Sequence, residues 1–449
     1  NTIINNQGTG AVTDFITDAD SIEFKGGTLY VKETGVKIAT SNGAVTINSI
    51  DGDHDETVEI AAGSGAVSVG RIGGTNNTGE GIKSVSITSS NSTGITLSGN
   101  ITTSDTSDSD VTLSGDVVIS GSVDIDTSQG TDGSIEFTKT IKGAGGTDNL
   151  TLDTGNDTLT FHATNTTIGV GDKPLTSLSI GQNGGTAAIT VPQIGDANDD
   201  GVSGIVQIGT STSNSVTFED TIYNFGSGAV NITAKTGGNN IVIAGGNQAV
   251  AITTAGGDLT FGTSDVILHN DAATTITTGG GAVNFGSSTT AIKLESDGGD
   301  NDSLTISSGA GDVLFSGTIG VTHELGGLDV NATTTGSGDI SFLNKIGSVS
   351  QPGIVGITKI GGTATDNIKL SGTLYSFNGA TTITTESGQE IDLLAGSDTS
   401  FVTSEDTIKF DSKVDLDNGS DFSVDTGSGA GDITITGAII GDSAETVTL

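Results

Sequence analysis

The chain has 449 residues with 54 acidic side chains against 15 basic ones, a formal net charge of −39, which repels phosphate backbones and anionic lipid surfaces and argues against nucleic-acid binding and membrane association. Cysteine and methionine are absent, so a disulfide framework, a thiolate zinc site and a cysteine nucleophile are excluded. Hydrophobic residues make up 33% and aromatics 4%, with 71 glycines and only 3 prolines, a sparse interior for a globular domain and the wrong pattern for collagen.

In chain order, residues 1–20 open with the polar Asn1-Thr2-Ile3-Ile4-Asn5-Asn6 and read as an N-terminal cap or docking strand. Asn1 reads as a processed N-terminus or the start of a fragment. From Ser21-Ile22-Glu23-Phe24 onward, apolar and small polar residues alternate in runs of four or five, divided by Gly, Asn, Asp, Ser and Thr. That is the period of short half-buried strands separated by turns, and no 3.6-residue period replaces it. Residues 72–110 are the most polar portion and predict an irregular, loop-rich part. Residues 21–449 otherwise read as one continuous stack. No run reaches the roughly eighteen apolar residues that a membrane span needs.

A five-residue signature recurs: glycine, a small or acidic residue, then apolar-polar-apolar. It appears as Gly43-Ala44-Val45-Thr46-Ile47, Gly65-Ala66-Val67-Ser68-Val69, Gly133-Ser134-Ile135-Glu136-Phe137 and Gly257-Asp258-Leu259-Thr260-Phe261. Gly281-Ala282-Val283-Asn284-Phe285, Gly311-Asp312-Val313-Leu314-Phe315, Gly338-Asp339-Ile340-Ser341-Phe342 and Gly431-Asp432-Ile433-Thr434-Ile435 follow. Adjacent copies are 22, 24, 30 and 27 residues apart, and the longer gaps divide into steps of similar size. Such a period marks a solenoid, in which each unit buries its apolar face only against its neighbours. The expected fold is all-β, a right-handed parallel β-helix with rungs of roughly 22–30 residues, and a mean rung of about 23 would give about nineteen of them.

Residues 131–180 carry Gly133–Gly143, Asn149-Leu150-Thr151-Leu152-Asp153 and Ile168-Gly169-Val170-Gly171-Asp172-Lys173-Pro174-Leu175-Thr176-Ser177-Leu178-Ser179-Ile180, and Gly309–Val330 looks like a second copy. This resembles the strand-repeat regions of bacterial filamentous-haemagglutinin-like and autotransporter-like adhesins. The resemblance implies a parallel β-helix outside the cell, with adhesion or assembly as its work. Neither a secretion domain nor an outer-membrane barrel of that family is visible.

Asp196-Ala197-Asn198-Asp199-Asp200-Gly201 matches the first half of a calcium loop, with oxygen ligands at Asp196, Asn198 and Asp200, but Gln207 stands where a bidentate glutamate belongs. Asp51, Asp53 and Asp55, and Asp297, Asp300 and Asp302, are weaker versions. His54, His162, His269 and His323 are scattered, and Arg71 is the one arginine, whereas a lyase acting on anionic sugar wants clustered cations. No nucleophile elbow, phosphate loop or histidine metal motif appears. Thr274–Thr278 and Thr381–Thr385 present threonines on one face without recurring at each rung, which argues against an ice-binding array. The sequons at Asn149 and Asn165 are what chance gives in a threonine-rich chain. The expectation is a non-enzymatic extracellular structural protein that self-associates head to tail, with surface glycans as a further partner. The alternatives are a monomeric adhesin stalk and a carbohydrate-active enzyme.

Overall fold

The computed structural model describes the chain apart from residues 1, 6–11, 33, 75–80, 105–108, 130–131, 163–165, 182–184, 270, 299–301, 332–336, 418 and 443. Its described residues contain no helix, and their strands stack in parallel as a β-solenoid of about 16 turns. The count is lower than nineteen because most turns are longer than 23 residues. The chain divides into two compact units, residues 1–216 and 217–449.

In the first unit one stack of strands runs Val45–Gly52, Val67–Ile72, Ile95–Leu97, Val117–Ile119 and Ile141–Gly143. Val45 faces Val67, Val67 faces Ile95, Ile95 faces Val117 and Val117 faces Ile141. A second stack contains Ser122–Asp126, Asn149–Asp153, Ser177–Ile180 and Val206–Ile208. A third contains Gly35–Thr40, Glu56–Ala61, Ile82–Thr88, Val111–Ser114, Ile135–Phe137 and Leu159–Phe161. Within residues 1–20, Thr2–Asn5 pairs with Leu29–Lys32 and Thr13–Thr17 with Gly35–Thr40, so these strands are laid down like those of later turns. Part of the proposed cap (1, 6–11) and part of the loop-rich portion (75–80, 105–108) lie outside the described residues. The rest of 72–110 holds the strands Ile82–Thr88, Ile95–Leu97 and Ile101–Thr102.

The second unit repeats the plan. One stack holds Val250–Thr254, Ala273–Thr277, Ser303–Ser307, Gly327–Val330, Thr358–Ile360, Thr381–Ile383, Ile408–Phe410 and Ile433–Ile435. Another holds Leu259–Gly262, Val283–Phe285, Val313–Phe315, Ile340–Phe342, Ile368–Leu370, Glu390–Leu393, Lys413–Leu416 and Ile439–Gly441. Residues 332–336, inside the repeat 327–345, lie outside the described residues.

The signature marks a corner where the chain turns into a strand. A Cβ on Gly281 would lie 2.3 Å from the carbonyl oxygen of Gly257, and one on Gly311 would lie 2.1 Å from that of Gly281. Gly338 stands in the same relation to Gly311, so each corner glycine leaves room for the backbone of the turn before it. Three residues upstream a hydroxyl closes the corner. Thr254 donates to Gly257 O at 2.5 Å and to Thr278 O of the next turn at 3.2 Å, and Ser308 donates to Gly311 O at 2.6 Å. These buried hydroxyls satisfy carbonyls that leave the strand ladder at each bend.

The longer gaps between signatures do not divide into whole turns of one stack. Gly65 leads into Val67–Ile72, whereas Gly133 leads into Ile135–Phe137 of another stack. Any corner can carry the signature, because the steric demand is the same at each.

Inside, the sparse apolar content is concentrated in ladders. Phe261, Phe285, Phe315 and Phe342 stack with ring centroids 5.0, 5.1 and 4.8 Å apart, and all are essentially unexposed. Parallel pairing in register puts like on like, so one phenylalanine per turn makes a continuous aromatic column. The interior also holds polar misfits. Thr358, facing Leu328 on one side and Thr381 on the other, is fully buried and its hydroxyl has no hydrogen-bond partner. Such a group costs about 1–3 kcal/mol, so Thr358→Val is expected to raise stability by on the order of 1 kcal/mol, read as a higher midpoint of thermal unfolding.

Candidate functional site

With inward positions taken largely by the ladders, chemistry is confined mainly to outward positions and corners, where most of the acidic residues lie. Many of them have a structural task. At the second position of the signature, Asp258 Oδ1 accepts the amide of Ala282 at 2.8 Å, and Asp312 Oδ1 accepts that of Asp339 at 2.9 Å. In turn, Asp339 Oδ1 accepts that of Asn367 at 3.0 Å. Asp110 does the same for Ser134 N at 2.8 Å. Each carboxylate reaches one turn forward and binds a backbone N–H at the start of the next strand, a charge-assisted bond. The recurrence of Gly-Asp in the signature is the sequence trace of this role.

The single arginine is likewise spent. Arg71 donates to the carbonyl of Gly73, and its Nη2 lies 3.5 Å from Oδ2 of the buried Asp51. Lysines bridge adjacent turns, Lys32 to Asp53 at 2.6 Å and Lys37 to Glu59 at 2.5 Å.

Asp196, Asn198 and Asp200 lie in the turn that follows Gln193–Ile194. The carboxylate of Asp196 accepts the amides of Asn198 at 2.8 Å and Asp199 at 3.1 Å, while its own amide donates to Asp199 O at 3.0 Å. The turn is thus organised around an internal side-chain cap. From the preceding turn, Asp172 shares a hydrogen bond with the Asp199 carboxyl and raises its pKa above the ordinary carboxylate range.

The alternating set Asp51, Asp53 and Asp55 is split by the fold. Asp51 is paired inward with Arg71, and Asp55 accepts from Ser104 Oγ at 3.1 Å. Asp53 instead meets His54 and Glu56. His54 Nδ1 is 3.0 Å from Asp53, and the fully buried Glu56 accepts the amide of His54 at 3.0 Å. Burial raises the Glu56 carboxyl pKa, opposed by hydrogen bonds from the His54 and Asp53 amides. Of the other set, Asp297 lies 3.3 Å from His269 Nε2 and Asp302 is buried, while Asp300 lies outside the described residues. His162 meets Glu136 at 2.7 Å.

A cluster that sequence spacing did not reveal lies on the second unit, where ligand atoms of Asp415, Asp417 and Asp442 fall within 4.8 Å of one another. Asp392 is in register with Asp415, with Lys369 on its other side. Burial first, then the charges of Glu390, Asp417 and Asp415, push its carboxyl up to about 6. The cluster depends on two adjacent turns stacking, since Asp415 and Asp417 lie on one and Asp442 on the next, so it has no signature in local sequence. Beside it, Glu386, Gln389, Asp411, Ser412 and Lys413 line an open polar groove of about 540 Å³.

The sequon asparagine Asn149 is engaged in a ladder, donating to Ser122 Oγ and accepting from Ser177 Oγ. Asn165 lies outside the described residues. The threonines of residues 274–278 form a short outward strip in which Thr275 faces Ala251 and Thr305, but the next residues in that row are Asp329 and Lys359. Charge interrupts the array.

The crowding of like charges has a measurable consequence in the first unit. Burial, then the charges of Asp126 and Asp153, raise the pKa of Asp124. A carboxyl whose folded pKa exceeds its unfolded value contributes stability below the unfolded pKa of about 4 and loses it as pH rises through the folded value. Asp124→Asn is therefore expected to stabilise the protein by on the order of 0.5–1 kcal/mol at pH 7, and to change nothing at pH 3. Thermal melts at the two pH values check this.

Compared with protein-family models, curated proteins and solved structures, the chain matches none of them significantly.

Proposed function

We propose that the chain is an extracellular structural protein, a β-solenoid subunit that associates head to tail into a surface filament with an adhesive or matrix role. The observation that carries this reading is the parallel, in-register stacking itself: each turn offers its neighbour a full row of backbone donors and acceptors over the same corner geometry. A turn from a second copy can use that row as well as a turn of the same chain. The acidic exterior fits the same role, since it opposes sideways aggregation while leaving axial pairing open. The resemblance to filamentous-haemagglutinin-like and autotransporter-like adhesins supports an extracellular setting and surface glycans as partners. A catalytic role is not part of this reading, because the arginine and most described lysines are engaged in ion pairs or hydrogen bonds within the scaffold.

The second reading, a monomeric stalk that presents a binding loop, is favoured by the turn Ser348–Gln351. Ser348 and Gln351 bond backbone to backbone across it at 2.8 Å, and Val349 at its tip is 97% exposed. Electron microscopy of the purified chain separates the two. Filaments of repeating subunits are the expected result; single rods at all concentrations would replace the filament with the stalk.

A further inference from the structure

We propose that the groove beside residues 384–389 in the second unit is a binding site for a neutral oligosaccharide, a site that rests on the surface-glycan partner of the function proposed above and gives that partner its place. The groove comes from unequal corners. Thr381–Ile383 faces Ile408–Phe410, and Glu390–Leu393 faces Lys413–Leu416, in register. Between the first pair and the second, one turn has the six-residue corner 384–389, while the next has only Asp411 and Ser412. The longer corner therefore overhangs the shorter one, and an open cleft of about 540 Å³ lies between them. The overhang is held from both sides. Glu386 N donates to Thr365 O of the turn before at 2.7 Å, and Thr385 N donates to Ser412 Oγ of the turn after at 2.7 Å. A preformed cleft of this kind loses little order on binding.

The lining selects the ligand class. It contains no aliphatic and no aromatic side chain, so an apolar peptide side chain or an acyl chain finds no counterpart there. Its one cation, Lys413, is held by Glu390 and by Asp415 at 2.7 Å, and Asp411 is held by Lys409 at 2.7 Å and by the Thr436 hydroxyl at 2.8 Å. The charge that a ligand meets is then the exposed carboxylate of Glu386, which repels phosphates and acidic sugars. What stays open is neutral hydrogen bonding. Corner hydroxyls elsewhere are consumed by carbonyls, as at Thr254 and Ser308, whereas neither Thr384 nor Ser387 commits its hydroxyl to any described residue. Each hydroxyl both donates and accepts, and the Gln389 amide beside them offers one group of each kind. The hydroxyls of a sugar need that mixture.

The test is saturation-transfer NMR of the full chain with cellotriose, maltotriose, chitotriose and trigalacturonate, repeated on the double variant Thr384→Ala with Ser387→Ala and on Glu386→Gln. These side chains make no hydrogen bond to other described residues, so folding is retained, and circular dichroism verifies it. The expected result is saturable binding of at least one neutral trisaccharide and none of trigalacturonate, weakened about tenfold in the double variant by the loss of two hydrogen bonds. Glu386→Gln should keep the neutral sugar and admit trigalacturonate. Unchanged binding in the double variant would overturn the site, as would saturation of the unaltered chain by trigalacturonate or by none of the four sugars. Filaments that bind no sugar would remove the site and leave the assembly standing, whereas single rods that bind sugar would remove the filament and leave the site.

Discussion

Gly281→Ala is expected to destabilise the second unit by about 3 kcal/mol, the upper part of the range for overpacking, although it adds one methyl group. The added carbon would lie 2.3 Å from the carbonyl oxygen and 2.4 Å from the carbonyl carbon of Gly257. Both are backbone atoms of a corner fixed by the Thr254 hydroxyl and by the strands on either side. No side chain can swing away, so the turn must separate locally from its neighbour, straining Leu259–Val283 pairing. The backbone of Gly281 is not in the left-handed region, so the cost comes from the close approach of the two turns and not from a forbidden conformation. Gly26→Ala is the control, since a Cβ there meets nothing within 4 Å, and it should change stability by less than about 0.5 kcal/mol. In thermal unfolding the first substitution should lower the midpoint by on the order of 5–10 °C for a unit of this size and the second should not.

The second large effect belongs to the aromatic column. Phe285 is stacked on Phe261 and Phe315 at 5.0 and 5.1 Å and is 1% exposed, so Phe285→Ala removes contacts on both sides and leaves a cavity that the rigid turns above and below cannot close. The expected loss is about 3–5 kcal/mol. Phe285→Leu should recover more than half of it, because volume is kept while the stacking is lost. Guanidinium midpoints of the three proteins give the comparison. A loss below about 1 kcal/mol for the alanine variant would mean that the column does not carry the interior.

These two sites show how far the sequence could be read. The spacing of Gly257, Gly281, Gly311 and Gly338 is the register of the structure, since Leu259 faces Val283, Val283 faces Val313 and Val313 faces Ile340. That spacing was legible because a steric requirement for glycine recurs once per turn. The assignment of each signature to a stack was not legible: Gly133 and Gly65 precede strands on different faces, and the corner chemistry is alike on both. The hydroxyl three residues before the glycine was visible in Thr254, Thr278 and Ser308 but has no meaning until the carbonyls that it satisfies are placed. The acidic residues were legible only as charge. Asp258 and Asp312 bind amides 24 and 27 residues further on, and the group of Asp415, Asp417 and Asp442 exists only because turns stack, so their placement follows from register and not from local spacing.

The register itself can be read directly by cross-linking, because the chain has no native cysteine. Thr260 and Asn284 are outward partners on adjacent turns, and Leu314 is the next residue in the same row. Adjacent strands lie about 4.8 Å apart, within the Cα separation that a disulfide spans, whereas two turns are about twice that. The doubly substituted protein with Thr260→Cys and Asn284→Cys should therefore form an intramolecular disulfide under mild oxidation, seen as a loss of two free thiols without dimer. The pair Thr260→Cys and Leu314→Cys should remain reduced. Disulfide formation in the second pair and none in the first would contradict in-register parallel stacking of the turns.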